Sequence, residues 1–281
     1  AARSALAQDT RSVDALRGLG YALYRQDRSR EAIEALQAAL DLGRDPATEM
    51  LLARIRKGAQ DEKGMTEQRL ARFTVHYDGE AHEDVGREIL RVLDGHYATL
   101  VTALDHQPKA KITVILFTQQ GYFDASGAPA WSGGAYDGTD GKIRIPIGGL
   151  TTSLTPEMDG TLIHELTHAF IADRTHNLAP RDIHEGLAQY MQGKRLAQEL
   201  NAEQMRRLAD DGGRSVAGFY LGALAFVEHL IAERGLGGMN DLLKALGETG
   251  NPDRAFEQVY GQGYQATRQA WATRFRQQNG S

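Results

Sequence analysis

His164-Glu165-Leu166-Thr167-His168 is the stretch of this chain best suited to chemistry. On a helix, residues four apart share a face about one turn from each other. Two imidazoles in that relation reach one tetrahedral cation at ~2.0–2.1 Å. Glu165 projects beside them, placed to take a proton from a water on the metal. The elements needed to hold such a pair are also legible. Thr155-Pro156-Glu157 supplies a hydroxyl cap, proline at the first helical position and an acid in the first turn. Leu162, Ile163, Leu166, Phe170 and Ile171 supply apolar faces to bury that helix.

A catalytic zinc takes three protein ligands and keeps one position open. The chain has no cysteine, so any metal is held by histidine and carboxylates. An H-E-x-x-H-x-x-G-x-x-H arrangement is excluded, because Ile171 and Arg174 stand where glycine and histidine are required. The third ligand must come from farther on. Pro180 to Tyr190 opens the next helix and offers Asp182, His184 and Glu185, with Gly186 expected to let that helix pack closely on the first.

His164-Glu-Leu-Thr-His168 followed by Glu185-Gly-Leu-Ala-Gln-Tyr190 resembles the gluzincins of the peptidase MA clan, and most closely the bacterial peptidase MA-like proteins that carry tetratricopeptide repeats. The resemblance spans roughly residues 70–277. It implies a zinc metallopeptidase with His164, His168 and Glu185 as Zn2+ ligands and Glu165 as general base. Phe219-Tyr220-Leu221-Gly222-Ala223 is similar to a segment of gluzincin aminopeptidases whose tyrosine steadies the oxyanion, implying that role for Tyr220. Tyr220 also shares helical spacing with Val216, Ala223, Val227 and Leu230, so a core aromatic is the other reading. Gly237-Gly238-Met239-Asn240 is similar to an aminopeptidase signature but lies after the motif and lacks its Glu. It is expected to be a turn and a cap starting a helix over Asn240–Leu246. Endopeptidase action is therefore favoured over aminopeptidase action. A peptide-binding protein with a non-catalytic zinc site is the rival class.

The fold class expected is α+β, in the order helices, small mixed sheet, helical half. Residues 1–60 form a helical segment in which Leu16, Leu19-Gly20, Leu23, Ala32, Leu36, Ala39 and Pro46 resemble one tetratricopeptide unit, with Ala2–Gln8 as the tail of another. Small Gly20 and Ala32 let its helices approach. A single unit leaves an apolar face to cover, so it must lean on a neighbour, and it is a place for a protein partner. Residues 61–281 form the catalytic domain. A linker over 57–68 is expected to join the two, followed by a strand over 72–77, a helix over 85–104 and a buried strand over 111–117. An edge strand is expected over 142–147, marked by Pro146, with Trp131 and Tyr136 on a glycine-rich rim able to hold an extended peptide. His76, His82, His96, His106 and His229 fall outside any ligand spacing and are expected to be surface or structural.

A net charge of −5 and pI near 6.0 argue against nucleic acid as a partner and leave a peptide or protein substrate. Glu228 and His229 interrupt the longest apolar run, Phe219–Ala232, so no membrane span is expected. The expected setting is exported and periplasmic in a bacterium, with Ala1 in place of Met expected of a processed or truncated product.

Overall fold

The computed structural model describes residues 12–77, 83–118, 122, 133–147 and 154–280. Ala2–Gln8, His82 and Trp131 lie outside them. The chain is α+β and mostly helical, with one small mixed sheet. It divides into two compact units, residues 1–86 with 110–152 and residues 87–109 with 153–281. This division differs from a boundary near residue 60, because the N-terminal helices and the sheet fall in one unit.

In the first unit α1 (Val13–Tyr24) and α2 (Ser29–Leu42) pair at close range. A Cβ on Gly20 would stand 2.6 Å from the Leu36 side chain, so glycine is what the approach requires. Leu23, Ala32, Ala35 and Leu36 close over Leu52 and Ile55 of α3 (Pro46–Asp61), which covers the face that two helices leave open. The sheet runs β1 (Thr66–Arg69), β2 (Phe73–Tyr77), β3 (Ile112–Phe117), β5 (Lys142–Pro146), β4 (Ala135–Asp137). β2, β3 and β5 are parallel, and β1 and β4 are antiparallel edges.

Two expectations are corrected here. Residues 66–69 are a strand, not linker: all four are exposed, so no apolar alternation marks them. The segment over 142–147 is not an edge, because β4 covers it. Pro146 is tolerated because it lies past Arg144, the last residue paired with β4, and its missing N–H would have faced that side.

Lys142 explains why helices and sheet form one unit. Its buried ammonium lies 2.6 Å from Asp27 and 2.8 Å from Glu62, and His76 Nε2 lies 2.9 Å from Asp27. Alongside, the Tyr24 hydroxyl donates to Asp140 at 3.0 Å, and Arg144 pairs with the same carboxylate at 2.6 Å. Burial opposes the charge on Asp27, but hydrogen bonds from His76 and Lys142 outweigh it and hold the carboxyl below its ordinary value. Burial likewise opposes charge on Lys142, and Glu62 and Asp27 outweigh it, raising the ammonium. Asp27's contribution is therefore complete above about pH 4 and lost in acid, while that of Lys142 is complete below about pH 10 and lost in alkali. Lys142→Met is expected to cost about 2–4 kcal/mol at pH 7, because two half-buried carboxylates lose their counter-ion. Urea midpoints at pH 7 and pH 3 check this. The gap from wild type should narrow at pH 3, and a gap under about 1 kcal/mol at pH 7 would refute the clamp.

The second unit begins within α4 (Glu83–Leu104), where Ile89, Leu93, Tyr97 and Leu100 are all buried. It continues through α5 (Pro156–Thr175), α6 (Arg181–Met191), α7 (Leu196–Glu199), α8 (Ala202–Asp211), α9 (Val216–Thr249), α10 (Pro252–Tyr260) and α11 (Tyr264–Asn279). Thr155 caps α5 as expected, accepting from the Met158 amide. Tyr97 packs edge-on to Phe170 at 5.0 Å, and His96 and His106 pair with Asp159 and Asp173 of α5 at 3.0 and 2.8 Å. Those two histidines thus tie α4 to the helix bearing the motif.

Asn240 does not start a helix. α9 is two helical stretches joined at a break at Gly235 (φ 68°, ψ 179°), so the second begins a few residues before Asn240, whose side-chain amide donates to Ala103 O at 3.0 Å, capping the end of α4. By length and composition alone α9 is long and apolar enough to cross a membrane. Leu224, Phe226, Val227, Leu230, Leu242 and Leu246 along it are fully buried, while 39% of its most apolar window as a whole is buried.

Candidate metal centre

His164 and His168 stand one turn apart on α5 with their Nε2 atoms 3.2 Å from each other. Leu162, Leu166, Phe170 and Ile171 anchor that helix in the core. Glu185, in the second turn of α6, brings Oε2 to 3.7 Å from His164 Nε2 and 3.5 Å from His168 Nε2. All three belong to the second unit. Ligands ~2.0–2.1 Å from a tetrahedral ion lie about 3.3–3.4 Å apart, close to the sides of this triangle. The point equidistant from its corners is about 2.0 Å from each. Two imidazoles and one carboxylate are a donor set that zinc accepts. The residues therefore fit such an ion in number, type and spacing.

The electrostatics agree with the geometry. Burial opposes charge on Glu185, but the two imidazoles outweigh it and hold the carboxyl far below its usual range. Burial also opposes charge on His168, and Glu185 and Glu165 outweigh it, raising that imidazole. Glu165 is itself buried and acts on His168 by its charge without belonging to the converging triangle.

The rival ligands on α6 are accounted for. Asp182, 3% exposed, accepts from the Tyr264 hydroxyl at 2.9 Å and Arg268 Nε at 2.6 Å, pinning the start of α6 to α11. His184 sets its Nδ1 3.3 Å from Nδ1 of His168, the ring nitrogen opposite the one facing Glu185. Burial, with His168 beside it, lowers the His184 imidazole to about 4 and keeps it neutral. Neither role was legible in spacing, since Asp182 meets partners more than 80 residues away.

Gly186 is also reassigned. Its close neighbour is α9, not α5: a Cβ there would stand 2.2 Å from Ala223 O and 2.6 Å from the Val227 side chain. Gln189 completes the junction, donating to Glu185 O at 3.1 Å and Tyr220 O at 2.8 Å. Gly186→Ala is expected to cost roughly 1–3 kcal/mol by forcing α6 off α9. Because Glu185 is the adjacent residue, zinc affinity should fall with it. Paired melting and zinc-titration curves test this, and wild-type values in both would show the contact to be slack.

Tyr220 reaches this junction through its backbone. Its ring meets Phe219 edge-on at 5.5 Å, and its hydroxyl makes no hydrogen bond among the described residues. A second cluster with metal-ligand spacing, Asp27, Glu62 and His76, already surrounds the Lys142 ammonium, which supplies the positive charge there. Neither the family models nor the curated proteins contain a match to this chain.

Proposed function

We propose that the chain is a zinc-dependent peptide hydrolase of gluzincin type, acting within peptide chains. The convergence of His164, His168 and Glu185 at the spacing of a zinc ligand set carries this reading. When bound, zinc supplies Lewis acidity that polarises a peptide carbonyl and lowers the pKa of a water to near neutrality. In this reading the two imidazoles and Glu185 hold the ion. Glu165 accepts the proton of the attacking water and passes it to the leaving amine, so that one buried carboxylate serves as base and then as acid. The Tyr220 hydroxyl, which makes no hydrogen bond among the described residues, donates to the charge that develops on the carbonyl oxygen.

A mixture of defined peptides, incubated with and without chelator and read by mass spectrometry, tests the whole reading. Internal cleavage that stops with chelator and returns with zinc is the expected outcome. Stepwise loss from amino termini would replace it with an aminopeptidase. No cleavage by a zinc-loaded, folded protein would leave a binding role.

A further inference from the structure

Each ring nitrogen at the centre must have an assignment. If His168 faces the ion through Nε2, its Nδ1 carries the hydrogen. That Nδ1 lies 3.3 Å from Nδ1 of His184, so the His184 nitrogen has to be the bare, accepting one, with its own hydrogen on Nε2. His164 has no counterpart. Its Nδ1 is buried without a hydrogen-bond partner among the described residues. The protein therefore controls the orientation of one ligand ring and leaves the other to packing.

We propose that His184 is a positioning residue, whose Nδ1 accepts the Nδ1–H of His168 and so fixes the tautomer and angle at which that ring offers Nε2 to the metal. The proposal rests on the metallohydrolase reading above. Its consequence is that α6 delivers two successive residues to one centre: Glu185 as ligand and His184 as the partner of a ligand on α5. Tyr264 and Arg268 hold Asp182 at the start of the helix, and Gly186 sits against Ala223 next to Glu185. A shift of α6 thus disturbs two of the three ligands at once. The acceptor is a neutral imidazole, so it orients His168 without adding negative charge to the centre, unlike the carboxylate that often holds a metal-binding histidine.

His184→Ala should weaken zinc binding by about 10–100-fold in competition with a chelating dye. His184→Asn, which keeps a side-chain acceptor, should recover most of the loss. In the zinc-loaded wild type, nitrogen NMR should find His184 protonated on Nε2 alone and a coupling to His168 across the Nδ1–H···Nδ1 bond. Unchanged affinity in His184→Ala, with wild type binding zinc, overturns the proposal alone, as does a hydrogen found on His184 Nδ1. A folded wild type that takes up no zinc overturns the metal reading and the proposal with it.

Discussion

Glu165→Gln should keep one zinc per chain while peptide hydrolysis falls by about 10²–10⁴-fold, the usual contribution of a positioned proton acceptor. The substitution preserves the volume of a side chain that is 7% exposed, so the packing of α5 survives. It leaves untouched the three atoms that meet at the centre. What it removes is the basic oxygen, since an amide cannot take a proton from water near neutral pH. It also removes the negative charge that helps raise the His168 imidazole, so the metal-free protein should hold a proton at His168 less strongly. Metal analysis and initial rates on one preparation separate the two effects. Full activity would refute the base assignment, and loss of zinc would make Glu165 a ligand.

His168→Ala should take the protein from stoichiometric zinc to none after dialysis. The remaining pair, His164 Nε2 and Glu185 Oε2, is 3.7 Å apart and supplies two donors where three are needed. The loss spreads beyond one ligand, because His184 Nδ1 is left without its partner and Glu185 keeps one imidazole of two. Zinc at 1,000 times its dissociation constant stabilises a binding protein by about 4 kcal/mol. Wild type should show that rise in a thermal melt, and the variant none. One equivalent of zinc retained by the variant would dismantle the ligand set.

Both outcomes turn on local features that a linear reading reaches. Residues 164 and 168 share a helix face because of the helical repeat alone, and Thr155 and Pro156 cap that helix by their own chemistry. Tyr97 and Leu100 are buried as their spacing requires. What a linear reading missed lacks a local mark. Thr66–Arg69 is wholly polar on an exposed edge, so its pairing with β2 left no pattern. By spacing alone Asp182 and His184 compete with Glu185 as third ligand, and only the family resemblance singles out Glu185. In the fold the direction of each side chain separates them, and that direction comes from Tyr264, Arg268 and the packing of α9. Gly186 signals a close approach without naming its partner, because any backbone can occupy the space of an absent Cβ.

Composition and spacing alone determined the α+β class, the helix that presents two imidazoles, and the exclusion of thiolate ligands. Tertiary structure decided that Asp182 turns away to Tyr264 and Arg268, which histidine stands behind His168, and that the N-terminal helices share a compact unit with the sheet through Lys142. The physical reason is range. Helical periodicity and capping act over a few residues. Convergence of three donor atoms depends on packing and buried charge between residues distant along the chain.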